Sequence, residues 1–296
     1  MASRHADDGS AIDLGTSPAR KRTPVEEFGI VEKPLSRWEK LYDNDFARKL
    51  FIVAILIVAW ESYARVLDNE LLFPTFSATV AALGSSVLER GLAGKAWSSI
   101  QVLLVGYVCG LALAVLLTVF AITTRIGRDF LATVTAMFNP LPAIALLPLA
   151  LLWFGLGSES LVFVLIHSVL WAVALNTLAG FQAVSTTLRM VGRNYGLKGL
   201  RYVFGILVPA AFPAILAGLK IGWAFAWRTL IAAELVFGVS SGRGGLGWFI
   251  YENKNQLEIP NVFAGLLTVI LIGFFVENVV FRNIERRTVQ KWGMQE

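Results

Sequence analysis

Stretches of about twenty mostly apolar residues recur six times along the chain, at approximately 49–67, 98–121, 130–152, 159–180, 210–236 and 262–281. A helix rising ~1.5 Å per residue needs roughly that length to cross ~30 Å of hydrocarbon. The pattern therefore predicts six membrane-spanning helices. Pro140, Pro142 and Pro148 interrupt the third run, which predicts a kinked or partly broken helix whose freed carbonyls face protein or water. The first run follows a long polar segment and precedes no small-residue cleavage site, so it does not read as a cleavable signal.

The polar stretches divide the chain further. Residues 1–48 form a cytoplasmic tail; its first 45 residues are rich in charge, Ser, Pro and Gly and predict disorder, ending in an amphipathic stretch near Trp38 and Leu41. Residues 49–285 form the six-helix domain, and residues 286–296 a short C-terminal tail. The connection at 68–97 contains Pro74 and Thr75, which open a short amphipathic segment running to about Glu89. Residues 181–209 form a connection too long for a simple turn, and Leu188, Val191, Tyr195, Leu197, Leu200, Val203 and Phe204 recur in it at helical spacing. Two short helices parted at Gly196–Gly199 are expected there. No internal repeat is evident, which weighs against transporters built from inverted repeats.

Composition sharpens the class. Of the residues, 56% are hydrophobic and 16% charged, whereas a water-soluble chain carries roughly a quarter charged. The net charge of +5 is distributed as a membrane protein distributes it rather than as a nucleic-acid binder does. Nineteen Lys and Arg fall in the N-terminal tail, the 2–3 and 4–5 connections and the C-terminus. Five fall on the other side (Arg65, Arg90, Lys95, Arg243 and Lys254), and Lys220 and Arg228 lie inside the fifth run. Both termini are therefore expected in the cytoplasm. A single cysteine, Cys109, excludes an intrachain disulfide, and two histidines, His5 and His167, leave little for a metal site. Cys109 with Gly106 and Gly110 fits close helix packing in the second span.

No G-x-x-x-x-G-K-[ST] loop is present, so nucleotide phosphates have no such cradle. Residues 241–247, Ser-Gly-Arg-Gly-Gly-Leu-Gly, resemble a phosphate loop but fall on the outer side, where a flexible turn is the simpler reading. The 4–5 connection is more specific. It reads Leu188-Arg189-Met190-Val191-Gly192-Arg193-Asn194-Tyr195-Gly196, with Ile206 ten residues past Gly196 and Val208-Pro209 after it. This resembles the loop written EAA-x3-G-x9-I-x-L-P of the permease subunits of bacterial ABC importers. Gly196, Ile206 and Pro209 are in register; Met190 stands for the Glu, Val191-Gly192 for the Ala-Ala and Val208 for the Leu. Asn139-Pro140-Leu141-Pro142, Trp153-Phe154-Gly155-Leu156-Gly157, Leu72-Phe73-Pro74-Thr75, Ala232-Ala233-Glu234 and Gly245-Leu246-Gly247 are similar to landmarks of the nitrate, sulfonate and taurine subfamily. The resemblance covers about residues 50–290.

The resemblance implies an all-α integral membrane fold, six transmembrane helices with a cytoplasmic coupling-helix loop between helices 4 and 5. It implies a multi-pass protein of the bacterial inner membrane, with both termini cytoplasmic. As partners it implies an ATP-binding cassette ATPase dimer, an outer solute-binding protein and a second permease copy. ATP and Mg would sit on the ATPase, with no cofactor, metal or catalysis on this chain. The coupling loop would use Met190, Val191, Gly192, Arg193, Gly196, Ile206 and Pro209 to carry ATPase closure to the spans. Gly196 permits a positive-φ turn, and Pro209 is expected at the first turn of the fifth span. The solute would be a small oxyanion.

The fifth span carries the candidate path. At 100° per residue Lys220, Trp223, Trp227 and Glu234 share one stripe, with Arg228 about 80° from Lys220. A charge at that depth costs about 2.5–3.5 kcal/mol, so Arg228 must face protein or water. Either Arg228 and Lys220 lend positive potential to an anion path, or Arg228 pairs with a carbonyl freed by the proline kink while Lys220 snorkels. His167 and Asn176 lie on opposite faces of the fourth span and form no joint site; hydrogen bonding within the bundle is expected for the histidine. Glu277 and Asn278 suggest a polar cluster near Arg282. The main alternative function is a stand-alone ion-coupled secondary transporter, which needs mid-span carboxylates, and Glu234 and Glu277 both lie near span ends.

Overall fold

A computed structural model describes residues 44–237 and 244–291 of the chain. The expectations for residues 1–43, including the disordered tail and its amphipathic end, and for residues 241–243 lie outside the described residues. Every described regular element is helical. The elements are α1 (Asp45–Leu67), α2 (Phe76–Leu88), α3 (Leu92–Thr123), α4 (Arg125–Phe138), a 3-10 turn (Ala143–Leu146) leading into α5 (Leu147–Phe154), and α6 (Ser158–Ala183). They continue with α7 (Thr186–Asn194), α8 (Gly199–Ala210), α9 (Phe212–Phe237), α10 (Leu246–Asn255) and α11 (Ile259–Gln290).

Two units divide at Val53–Ala54, within α1. In the first, the described residues are the opening turns of α1, where the Asn44 side chain accepts the Phe46 amide at 3.0 Å and Arg48 pairs with Asp45. The second unit, Ala54–Glu296, holds the core.

Among the described residues five helices are long and apolar enough to cross a membrane by themselves, and α4 with the α5 segment, bent by 86°, passes the same test as a pair. The prolines produce the predicted break. Pro140 and Pro142 cannot donate amides, and after the turn Pro148 occupies an early position of α5, where a missing N–H costs nothing.

α3, α6 and α9 form the centre. Gly106 and Gly110 let α3 approach α6 so closely that an added Cβ would lie 2.5 Å from Leu165 Cβ and 2.8 Å from Val169 Cβ. The register of those contacts runs α3 and α6 in the same direction. α9 runs against both: Gly218 sits against Asn176, and the Tyr107 hydroxyl donates to the Leu219 carbonyl at 3.0 Å. Small residues permit this because helices inside lipid associate by packing rather than by expulsion of water. Cys109 does not share in it; it is exposed, because it points away from the glycine face.

α2 begins as predicted, with the Thr75 hydroxyl accepting the Ala78 amide at 3.1 Å. It is fastened to α11 by Ser86, which donates to Asn261 at 3.1 Å. Arg90 with Glu258 and Lys95 with Glu252 (2.8 Å) join the same end of the unit. The Arg90 guanidinium, with Asn261 after it, holds the Glu258 carboxyl below its ordinary value.

Candidate functional site

The α7–α8 hairpin is built from its caps outward. Ser185 caps α7 through its hydroxyl. At the other end Gly196 has φ +69°, its amide donates to the Arg193 carbonyl at 2.9 Å, and the Leu197 amide donates to the Gly192 carbonyl at 3.1 Å. That paired arrangement closes a helix on a left-handed residue, and glycine is the residue that adopts it without strain. The chain then turns into α8, which crosses α7 at Gly192: a Cβ there would sit 2.9 Å from Ile206 Cγ1 and 3.0 Å from the Tyr202 ring. Gly192 and Ile206, two of the residues selected from the sequence, therefore meet.

The hairpin is seated on the end of α6. Val203, Leu207 and Ala211 bury against Phe181 and Val184. Arg189 reaches back to the carbonyls that α6 leaves free, donating from Nε to Val184 at 3.0 Å and from its terminal nitrogen to Phe181 and Gln182. A cation at a helix C-terminus also meets the negative end of its dipole. Met190, Val191, Tyr195, Leu200 and Phe204 remain exposed, as do Arg193, Lys198 and Arg201. The free face of the hairpin is thus apolar with a basic fringe.

Pro209 departs from its expected place. It is exposed inside α8, immediately after a π-helical turn at Val203–Leu207, and α9 starts only at Phe212 with Pro213 in its first turn. The widened turn accommodates the ring and the lost donor of Pro209.

α9 carries the second group. The stripe of Lys220, Trp223, Trp227 and Glu234 exists, and it packs toward α3 and α11. The Lys220 ammonium lies 2.8 Å from Glu285 and 3.9 Å from Glu277. Trp223 meets Tyr107 and Phe281 edge-on, and Trp227 Nε1 donates to the Val269 carbonyl at 3.3 Å. Glu234 is 2% exposed; it accepts from the Ser99 hydroxyl at 2.8 Å and from the Gly247 amide at 2.8 Å, while Ser99 accepts the Leu246 amide at 2.8 Å. Residues 244–247 are accordingly held against α9 and are not a loose turn.

Arg228 points elsewhere, into a cavity of about 360 Å³ between the broken span, α6 and α9. It donates to the Ala224 carbonyl of its own helix at 3.0 Å and lies 5.2 Å from the Phe225 ring centre, so its hydrogen bond is not to the proline kink. His167 opens into the same cavity with its Nε2 buried, and its ring hydrogen-bonds the Phe138 backbone at the end of α4, as expected of a histidine inside the bundle. Ser168 donates to Thr229 at 3.0 Å across the α6–α9 contact. Trp171, stacked on Phe138 at 6.2 Å and edge-on to His167 at 5.9 Å, walls the cavity beside the break. No Asp or Glu lines it among the described residues. Glu277, expected near Arg282, instead faces Lys220, and Asn278 bonds its own helix at Phe274.

Sequence reasoning missed Ser99, Ser168, Thr229 and Trp171. Their only signal was a hydroxyl or indole within an apolar run, which marks a helix contact without saying which.

Comparison with known proteins agrees with this architecture. The family described as "binding-protein-dependent transport system inner membrane component" matches residues 106–290, more than half of the chain. A putative ABC transporter permease of Methanocaldococcus jannaschii is 28% identical over 242 residues, covering 80% of this chain and 90% of the relative. The nitrate import permease of Synechocystis sp. is 25% identical over 280 residues, 90% of this chain and 93% of its own. The taurine transport system permease of Escherichia coli is 26% identical over 260 residues, 85% of this chain and 92% of its own.

Proposed function

The chain belongs to the family of binding-protein-dependent transport system inner membrane components, and from that premise we propose how it works as the translocation-path permease subunit of an ABC importer. A separate ATP-binding cassette dimer binds ATP and Mg and hydrolyses the nucleotide, and this chain binds no cofactor. An outer solute-binding protein delivers the solute, and a second copy of the permease completes the conduit. Both termini and the α7–α8 hairpin face the cytoplasm of a bacterial inner membrane. The solute is a small oxyanion such as a sulfonate, nitrate or carboxylate. The names of the nitrate and taurine relatives support that class, as does the unpaired cation Arg228 at the cavity.

The hairpin carries the coupling assignment. Its apolar free face, through Met190, Val191 and Tyr195, seats in a cleft of the ATPase, with Arg193 at the fringe. Ile206 locked on Gly192 makes α7 and α8 one body, and Arg189 fixes that body to α6. Closure of the ATPase then moves α6 and α9 as rigid elements rather than deforming the loop. Pro209 belongs to the same body through α8. Trp223, Trp227, Lys220 and Glu234 hold α9 to its neighbours while Arg228 faces the solute.

The test is gentle purification of tagged protein from native membranes, with co-eluting chains identified and weighed. A stoichiometric P-loop ATPase is expected. Gly196→Pro should still insert but lose that partner. Proline cannot adopt φ +69° and lacks the amide that reaches Arg193. Coupled ATP turnover should fall about tenfold or more, as ~1.4 kcal/mol of lost docking energy would produce. Wild-type turnover in that variant overturns the coupling role. Elution of the wild-type chain alone, under conditions that preserve such assemblies, overturns the importer assignment.

A further inference from the structure

The end of the bundle opposite the α7–α8 hairpin carries a leucine in a glycine's conformation. α10 closes on Leu257: its amide donates to the Lys254 carbonyl at 3.1 Å, and the Glu258 amide donates to the Asn253 carbonyl at 2.9 Å. Gly196 closes α7 in the same way, but here a leucine holds the left-handed position, at φ +59°. A β-carbon is strained in that conformation, and glycine would relieve it. The strain gains little packing within the chain, since Leu257 is 66% exposed. What it achieves is a large apolar side chain on a rigid backbone at the tip of the turn, and strain held in this way points to a function.

The surroundings make this tip part of a patch. Leu88, the last residue of α2, is 85% exposed, and Arg90, two residues on, pairs with Glu258 beside Leu257. Arg90 also lines a cavity of about 440 Å³ together with Gly94, Lys95, Trp97 and Gln101. The carboxylates paired with its two cations, Glu258 and Glu252, do not line it, so the cavity presents the positive side of both pairs. Arg90 and Lys95 are two of the five Lys and Arg expected on a side that membrane proteins keep poor in them.

The patch stands clear of the lipid tails. α3 has 32 residues, so at ~1.5 Å per residue it is about 48 Å long and outlasts ~30 Å of hydrocarbon. Its first turn and the residue before it hold Lys95 and Arg90, ahead of the apolar run that starts near residue 98. Leu257 lies between Lys254 and Glu258. Large apolar side chains left in water among charges mark a contact with another protein. A rigid anchor favours a partner whose own surface is fixed in shape, because little ordering remains to be done on binding.

We propose that this patch is the docking surface for the outer solute-binding protein, with Leu257 and Leu88 entering an apolar recess of that protein and one of its carboxylates entering the cavity beside Arg90 and Lys95. The proposal rests on the importer assignment, which supplies such a partner and places the end opposite the hairpin outside the cell.

The assembly of permease and ATPase is placed in nanodiscs. The probe is the secreted protein that, with its solute bound, stimulates ATP turnover by the wild-type assembly, and its association is followed by biolayer interferometry. Leu257→Gly should weaken association about tenfold while leaving the melting temperature of the assembly unchanged or higher, because glycine relaxes the turn. Leu88→Ser should weaken it several-fold. Lys95→Gln should also weaken it several-fold and flatten its dependence on salt, as loss of one charge from a steering pair requires. Leu156→Ser, an exposed leucine of the α5–α6 turn, should change it less than twofold. A benzophenone side chain at position 257 should crosslink to the bound probe on irradiation. Association undiminished in Leu257→Gly, or weakened as much by Leu156→Ser, overturns the proposal while the ATPase stays bound and the importer assignment stands. Crosslinking only to lipid or to the second permease copy overturns it as well, as does the lack of any secreted protein that stimulates the wild type. Absence of the ATPase from the assembly is the separate failure of the importer assignment.

Discussion

Ser99 donates its hydroxyl proton to Glu234 while accepting the Leu246 amide, and Glu234 also accepts from Gly247, so one hydroxyl and one carboxylate tie α3, α9 and α10 together. Glycine is required at 247 by proximity alone: a Cβ there would lie 2.7 Å from the Ile231 carbonyl oxygen and 2.5 Å from Glu234 Cβ. Ser99→Ala leaves both the carboxylate and the Leu246 amide short of a partner. It should destabilise the solubilised protein by about 1–3 kcal/mol, measured as a lowered melting temperature. An unchanged melting temperature would show that water replaces the serine. The sequence made Glu234 visible as a carboxylate on a helical stripe, and suggested the mouth of a path. Its actual partners lie 135 residues upstream and 13 downstream, and nothing in the local pattern of either segment announces the meeting. Lys220 is a similar case. Its charge within an apolar run demanded a partner, but the pair with Glu285 depends on how α11 lies along α9.

Among the elements, the short ones were the more readable. Thr75 before an apolar segment, Gly196 between two, and prolines within the third span each act through the backbone of their own neighbourhood, so the caps, the turn and the 86° break followed from local chemistry. The π-helical turn before Pro209 did not, because a widened turn has no residue signature of its own. Arg189 illustrates a role that charge counting disguised. It belongs to the basic excess of the hairpin, yet its guanidinium closes the end of α6. Arg189→Ala should therefore lower ATPase stimulation several-fold more than Arg201→Ala, an exposed cation on the same hairpin; equal effects would reduce Arg189 to general charge. At the other end of the unit Glu258 is held below its ordinary value of 4.5, chiefly by Arg90. The unfolded chain binds the proton more readily, so this pair stabilises the fold fully above 4.5, and the contribution is lost as the pH falls through the lowered value. Both partners are well exposed, which keeps the effect small and screened by salt. Thermal melts at low salt should show a slight acid-side loss that Glu258→Gln abolishes.

At the scale of the whole molecule the direction of the helices decides the number of crossings. α3 and α6 run in the same direction, as the contacts of Gly106 with Leu165 and of Gly110 with Val169 require. Whatever lies between two such helices must carry the chain back across, so the bent pair of α4 and α5 counts as one crossing and not as a re-entrant loop. With the five straight helices that makes six among the described residues. The apolar runs foretold the spans, and the uneven distribution of Lys and Arg gives the sidedness as an expectation. They did not foretell the lateral order, because one twenty-residue apolar run resembles another and only side-chain fit selects the neighbours. The sidedness is open to direct measurement in a Cys109→Ser background, since Cys109 is the single native thiol. Cysteines placed singly at Arg128, Lys198 and Lys254 are then exposed to a membrane-impermeant maleimide on intact cells. Position 254 should label, and positions 128 and 198 should label only after lysis. A re-entrant third span would instead leave position 128 on the opposite side from position 198, and that outcome would remove both the six-crossing topology and the cytoplasmic place of the hairpin on which coupling depends.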